Sequence, residues 1–267
     1  TGTIENDDEA TISIDDVAIQ EGDAGFTDFV FTVSMTYPSD ATVTVDFSTL
    51  DGTALVSDND YIPVTGTLTF LPGVVTQTLT VQVVGDTKVE LDETFFVQLS
   101  NLVNNGRNIS ILDNTGQGTI INDGGATLSI NDVIHSEPNP GYTQDYIFTV
   151  THSGDPTDVP YTVYYTTADL TATTGGGDYE PVTGTLTFSG ATEETHTISV
   201  MVNGDFIVEP TEIFEIHLSE DEFSGRNITF SDPVGQGIIT DYDAAAVTIT
   251  ATQPNAAEPG TNGEFTV

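Results

Sequence analysis

Asp60-Tyr-Ile-Pro-Val-Thr-Gly-Thr-Leu-Thr-Phe70 returns as Asp178-Tyr-Glu-Pro-Val-Thr-Gly-Thr-Leu-Thr-Phe188, an offset of 178 − 60 = 118 residues. Gly85-Asp86 with Glu90 and Glu93 returns as Gly204-Asp205 with Glu209 and Glu212, an offset of 204 − 85 = 119. Gly116-Gln-Gly118 recurs as Gly235-Gln-Gly237, and Ala10-Thr-Ile-Ser-Ile14 matches Ala126-Thr-Leu-Ser-Ile130. A unit is therefore repeated, and each copy is long enough to bury its own core.

Inside one unit, short runs with period-two alternation stand between Gly, Pro, Asn and Asp clusters, the pattern of a sandwich and not of βαβ units. In the first unit the strands are expected near 10–19, 27–35, 41–49, 64–70, 75–84, 94–101 and 116–122. Phe95, Val97 and Leu99 share one face of the sixth, as Phe214, Ile216 and Leu218 do in the second unit. The fold class predicted is all-β: tandem immunoglobulin-like seven-stranded β-sandwiches. Gly2-Thr-Ile-Glu-Asn-Asp7 copies the last strand at Gly118-Thr-Ile-Ile-Asn-Asp123, and Val247-Thr-Ile-Thr with Glu258 to Val267 copies the start of a unit. The expected division is 1–8, the last strand of a preceding repeat; 9–124 and 125–243, two full repeats; and 244–267, the start of another. The chain reads as a window on a longer array.

Composition agrees with folded β material, hydrophobic residues making up 37% and aromatics 9%. The charge is lopsided: 42 Asp and Glu against 3 Lys and Arg, a formal net charge of -39. Such a surface repels nucleic acid, and its self-repulsion calls for salt or bound cations. Cysteine is absent, which removes disulfides and thiolate chemistry. No apolar run approaches the roughly 20 residues of a membrane span, so no direct membrane insertion is expected of this segment.

Seven strands alternating up and down bring the A–B, C–D and E–F connections and the end of strand G to one tip. In the first unit that tip receives Glu21, Asp23, Asp51, Asp58, Asp60, Asp86, Glu90, Asp92, Glu93 and Asp123, while the opposite loops receive Asp40 and Asp113. In the second unit acids also decorate the far loops, and only positional matching singles out a site. Carboxylates converging without His or Cys select a hard cation, and calcium takes six to eight oxygens of this kind.

Together Glu21-Gly22, Asp51-Gly-Thr-Ala54, Asp60-Tyr61, Gly66-Thr-Leu-Thr-Phe70, Gly85-Asp86, Glu90-Leu-Asp-Glu-Thr-Phe95 and Gly118-Thr-Ile-Ile-Asn-Asp123 resemble the Calx-β repeat. The resemblance covers nearly the whole chain and implies an immunoglobulin-like sandwich with a calcium cluster at one tip. It implies ligands Glu21, Asp51, Asp86, Glu90, Glu93, Asn122 and Asp123 in the first repeat, with the carbonyl of Lys88 as a further one. In the second it implies Glu137, Asp169, Asp205, Glu209, Glu212, Asp241 and Asp243. Exchanger-type sites open their E–F loop with a run of aspartates where this chain has Gly85-Asp86 and Gly204-Asp205, which implies fewer ions or weaker binding.

Arg107 and Arg226 recur at one F–G position, in Gly106-Arg-Asn-Ile109 and Gly225-Arg-Asn-Ile228. A guanidinium bridges carboxylates bidentately. Arg226 is therefore expected to face the acidic tip of the first repeat and fix the inter-repeat junction, and Arg107 to do the same for a repeat ending at Asp7-Asp8. None of the four histidines has a counterpart in the other repeat, and the carboxylate sets occur in both units, so no enzyme is expected. The leading expectation is a calcium-binding structural or adhesive segment of an extracellular stalk, adhesin or filament, part of a large bacterial surface or secreted protein. Its partners are neighbouring repeats of the same chain, with other copies in a filament or a surface ligand beyond them. The alternative is a pair of regulatory calcium-sensor domains on a membrane transporter. A carbohydrate-binding module would want exposed aromatic platforms, and the chain has no Trp.

Overall fold

The computed structural model describes residue 2, residues 8–253 and residues 264–266. The strand expected at 1–8 falls largely outside the described residues, Asp7 included, as does much of 244–267. The first repeat contains β1 (Ala10–Ile14), β2 (Val17–Gln20), β3 (Gly25–Met35), β4 (Val43–Asp51), β5 (Thr65–Phe70), β6 (Thr76–Gly85), β7 (Glu93–Val103), β8 (Ile109–Ile111) and β9 (Thr115–Ile121). The second repeats the series as β10 (Ala126–Ile130), β11 (Val133–Ser136), β12 (Thr143–Gly154), β13 (Tyr161–Asp169), β14 (Thr183–Phe188), β15 (Thr195–Asn203), β16 (Glu212–Glu222), β17 (Ile228–Asp232) and β18 (Val234–Thr240). A short hairpin, β19 (Thr250–Gln253) with β20 (Glu264–Thr266), follows. No helix among the described residues is long and apolar enough to cross a membrane.

Each repeat is a sandwich of a four-stranded sheet, β6-β3-β1-β8 or β15-β12-β10-β17, on a five-stranded one, β2-β9-β7-β4-β5 or β11-β18-β16-β13-β14. The first of the seven expected strands is broken in two, the last is the single strand β9, and β8 lies between the sixth and the seventh, where no strand was expected. The run 10–19 divides at Asp15 and Asp16, β1 pairing with β3 and β2 crossing to pair in parallel with β9. The two acids make the crossing tolerable. Asp15 Oδ1 accepts Thr32 N–H at 2.6 Å and Asp16 Oδ1 accepts Gln117 N–H at 2.7 Å, so backbone donors freed by the break are satisfied. The second repeat uses Asn131 Oδ1 on Thr149 N–H and Asp132 Oδ1 on Gln236 N–H in the same way.

Alternate residues of each strand fill the core. Phe29, Phe31 and Val33 of β3 meet Phe95, Val97 and Leu99 of β7, all buried. Tyr61 stacks on Phe95 with ring centroids 4.7 Å apart, and Tyr179 stacks on Phe214 at 4.5 Å. These tyrosines pin the C–D loop to the end of the core, and an aromatic stack of this kind is worth about 1 kcal/mol beyond the area it buries. Asp60 and Asp178, one residue before them, are thereby held at the tip.

Candidate metal centre

The A–B, C–D and E–F loops and the end of strand G meet at one end of each sandwich. In the first repeat Glu21, Asp58, Asp60, Asp86, Glu90 and Glu93 line a cavity of about 100 Å³. Glycine makes the convergence possible, since a Cβ on Gly85 would run into the Gly22 carbonyl and one on Gly204 into that of Pro138. Among the described residues Glu21 and Glu137 are the only buried acids, and they hold equivalent places in the two repeats.

The electrostatics show the strain of this gathering. Burial pushes the Glu21 carboxyl up to about 8, with Asp86, Glu90, Asp123 and Asp60 adding repulsion. Glu93 is raised likewise, by burial first and then by Asp60. Glu90 is raised by burial, against the opposing pull of Lys88. Asp123 Oδ1 is buried with no hydrogen-bond partner among the described residues. An unpartnered buried carboxylate oxygen costs free energy unless something cationic meets it.

In the second repeat Glu137, Asp205 and Asp243 can offer oxygens within 4.8 Å of one another, and so can Asp178, Glu209 and Glu212. Glu137 Oε1 accepts the Asp205 N–H at 2.8 Å, and Asp241 accepts the N–H groups of Glu209 at 3.2 Å and Asp243 at 2.9 Å. Burial pushes Glu212 up to about 7, Asp178 adding to it, and raises Glu137 and Glu209.

Several expected ligands are placed differently. Asp51 is engaged within the C–D loop, its Oδ1 accepting from Tyr61 Oη at 2.7 Å and from Val56 N–H at 3.2 Å. Asp169 does the same for Tyr179 and Thr174, and the Tyr179 bond holds its carboxyl low. Neither lines the tip cavities; Asp60 and Asp178 stand there instead. Their signal was on view in the repeated Asp-Tyr pair, where the tyrosine belongs to the core and so fixes its neighbour at the rim. Asn122 turns its amide to loop closure, Oδ1 accepting Glu90 N–H at 3.3 Å and Nδ2 donating to Gly124 O at 3.2 Å. Lys88 places its ammonium 3.1 Å from Asp86 and 3.5 Å from Glu90. Its carbonyl packs on Gly124, where a Cβ would collide with it.

The junction also differs from expectation. The F–G loop of the second repeat does face the first tip, with Glu90, Leu91, Asp92, Asn122, Gly225 and Asn227 lining one cleft. Arg226 does not bridge the first tip's carboxylates. It forks onto Asp158 of its own repeat, Nη2 to Oδ2 at 2.7 Å and Nε to Oδ1, because that aspartate lies beside it in the B–C loop. Arg107 pairs with the equivalent Asp40 through Nε alone, at 2.7 Å. The connector is Val89. This residue of the first repeat's E–F loop is fully buried in the second repeat's core, its N–H donating to Pro156 O at 2.8 Å and its backbone bridging Thr157 in parallel. An apolar residue on an acid-rich loop, repeated as Val208, was its trace in the sequence.

The donor set suits a hard divalent cation: carboxylates from separate loops, one oxygen buried and unpaired among the described residues, and no imidazole or thiolate lining the cavities. Comparison with known proteins agrees in family. The family model described as the Calx-beta domain matches residues 5–132 and 143–252. Sodium/calcium exchanger 1 of Rattus norvegicus and that of Cavia porcellus are each 31% identical over 196 residues, covering 67% of this chain and 20% of theirs. The chain thus spans about a fifth of the length of these curated relatives. Among solved structures, CBD12 from CALX1.2 covers 86% of this chain and 99% of its own at 19% identity and a TM-score of 0.39. The apo form of the Calx CBD1 domain covers 43% of this chain and 99% of its own at 24% identity and a TM-score of 0.38. With two stretches that take in most of its length matching one family model, the chain belongs to the Calx-beta domain family and carries two copies in tandem.

Proposed function

We propose that both tips bind calcium and that the pair acts as a calcium-responsive regulatory module, ion binding at the first tip setting how firmly the second repeat is held. One observation carries this reading: a single loop, residues 85–93, presents Asp86, Glu90 and Glu93 to the tip cavity and Val89 to the neighbouring core. An ion that orders the acids orders the connector with them. Glu21, Asp60, Asp86, Glu90, Glu93 and Asp123 would hold it in the first repeat, and Glu137, Asp178, Asp205, Glu209, Glu212 and Asp243 in the second. A bound cation would offset the burial, and the repulsion added to it, that raise Glu21 and Glu93. The likeness to the exchangers supports the regulatory alternative over the stalk expected first. No catalytic role is assigned, since the carboxylate set occurs at both tips.

The extracellular stalk or filament is a second reading, favoured by the way the first repeat's Val89 is seated in the core of the next. Calcium bound only by the native state stabilises it by RT ln(1 + [L]/Kd), about 2.7 kcal/mol at a hundredfold excess over Kd. Thermal melting in millimolar calcium should therefore lie well above melting in chelator, with magnesium giving less because it demands a tighter octahedral shell. Identical melting in all three conditions sinks the calcium reading.

A further inference from the structure

The second repeat buries a polar pair in its core where the first has apolar side chains. His152 of β12 is fully buried, and among the described residues it is the one buried polar or charged side chain besides Glu21 and Glu137 of the tips. Tyr161 of β13, its hydrogen-bond partner, is buried as well. Strand register identifies the counterparts: Ile12 faces Met35 as Leu128 faces His152, and Val43 faces Phe70 as Tyr161 faces Phe188. Met35 and Val43 are buried and apolar, so the sandwich closes without a polar group at either place. Burying an imidazole and a hydroxyl costs free energy unless both find partners.

Those partners lead to the junction. His152 Nε2 stands 2.9 Å from the Asp155 carbonyl, and Nδ1 stands 2.7 Å from Tyr161 Oη. A carbonyl only accepts, so Nε2 carries the hydrogen; Nδ1 is then bare and accepts from the Tyr161 hydroxyl. Stacking on Phe188, with centroids 5.3 Å apart, and an edge contact with Phe223 at 5.7 Å fix the tyrosine ring. Asp155 is gripped from its other side by Gly125, which lies between β9 and β10: Asp155 N–H donates to Gly125 O at 3.1 Å, and its Oδ2 accepts Gly125 N–H at 3.1 Å. The next residue, Pro156, offers the carbonyl that receives Val89 N–H, and Asp158 N–H meets the Val89 carbonyl at 3.4 Å. The turn leaves little room, since Gly154 has a φ of 102° and a Cβ there would come within 2.7 Å of Gly125 O.

We propose that His152 and Tyr161 are positioning residues for the coupling between the repeats: the imidazole, fixed by the tyrosine, holds the Asp155 carbonyl and with it the 154–158 turn in the shape that seats Val89. The seat itself depends on no ion; that it sets how strongly the first tip is felt in the second repeat rests on the calcium reading above. Calcium orders the 85–93 loop from the side of its acids, and His152 decides how much of that order crosses to the next core.

Hydrogen exchange of the Val89 amide, set against that of Phe214 in the same core, reads the seat locally. His152→Met supplies the first repeat's residue at this position and removes the donor. It should speed Val89 exchange about tenfold, the worth of one buried hydrogen bond, and leave Phe214 protected. His152→Gln keeps a donor near the place of Nε2 and should restore most of the protection, whereas His152→Asn is too short to reach Asp155 and should not. Where His152→Met does not fold, Tyr161→Phe carries the test: it removes only the hydroxyl that fixes the imidazole, and Val89 exchange should still quicken. Val89 exchange at the parent rate in these variants overturns the proposal, and so does equal loss of protection at Val89 and Phe214, which makes the pair ordinary core. Repeating the parent protein and His152→Met in calcium and in chelator separates the two readings. Calcium that slows Val89 exchange in the parent protein and much less in His152→Met supports both, and an equal slowing in the two overturns the proposal. Calcium that leaves the parent rate unchanged sinks the coupling, while the His152→Met difference in chelator still supports the seat.

Discussion

The two tips are built from the same residues at the same spacing, yet one is sealed and the other open. At the first, Val89 is buried in the second repeat, Lys88 lies between Asp86 and Glu90, and Glu21 is pushed up to about 8. At the second, Ile207 replaces the lysine, the apex is exposed, and Glu212 is pushed up to about 7. The covering neighbour is the main difference. It removes water from one side of the first cluster, deepens the desolvation of its acids, and ties the loop that carries them to another domain. A shared motif thus becomes a coupled site at the tip that the second repeat covers and, among the described residues, an uncovered one at the other.

The comparison breaks most visibly through one substitution made twice. Val89→Asp leaves an unpaired charge in the second repeat's core and should destabilise the chain by about 3 kcal/mol, with the loss falling on the second repeat. Val208→Asp changes an exposed position and should stay within about 0.5 kcal/mol. Denaturant melts of the two variants decide it, and equal effects would mean that the buried connector contributes nothing particular.

The arginines sharpen it next. Arg226→Ala removes a largely buried, doubly hydrogen-bonded guanidinium and should cost about 1 to 2 kcal/mol. It should also broaden the inter-repeat angle seen by small-angle scattering, because Asp158 both pairs with Arg226 and donates its N–H to the Val89 carbonyl. Arg107→Ala removes an exposed pair and should leave melting and scattering unchanged. A scattering profile of Arg226→Ala identical to that of the parent protein removes the arginine from the junction.

Much of this was legible in the sequence. Period-two alternation of Val, Phe, Leu and Thr located the strands, and the direction rule put the acid loops together at one end. The break at Asp15 and Asp16 showed only as a shift of phase, the apolar residues passing from positions 10, 12 and 14 to 17 and 19, and a single strand drawn over 10–19 ran through it. Asp51 and Asp60 could not be told apart from spacing, since both are C–D loop acids. What separates them is that Tyr61, stacked on Phe95, donates to Asp51 and leaves Asp60 for the tip. The arginine repeat was expected to bridge to the neighbouring tip, but the partner is the nearer Asp158 of the same repeat. Val89 was overlooked because a single valine carries no period.

The pH dependence is the subtlest contrast. Glu21 titrates near 4.5 when unperturbed and near 8 in the fold, so between those values the native state holds the extra proton. Stability in chelator should therefore fall as pH rises from about 4.5 to about 8. The contribution of Glu212 should end earlier, near 7, so the second repeat reaches its floor first. Glu21→Gln should reduce the slope for the first repeat alone and Glu21→Gln with Glu93→Gln should flatten it, since Glu93 is pushed up to about 8 as well; thermal melts across the range in chelator read it. A slope that persists undiminished in the double variant assigns the effect to the general acidic surface.

The central claim is that the 85–93 loop and its counterpart hold calcium through their own carboxylates. Isothermal titration with calcium measures it most directly, on the parent chain and on Glu93→Gln and Glu212→Gln, which keep shape and remove one charge each. The account predicts heats from both tips in the parent chain, loss or weakening of the first-tip sites alone in Glu93→Gln, and of the second-tip sites alone in Glu212→Gln. Unchanged stoichiometry and affinity in both variants, or no calcium heat in the parent chain, would contradict it.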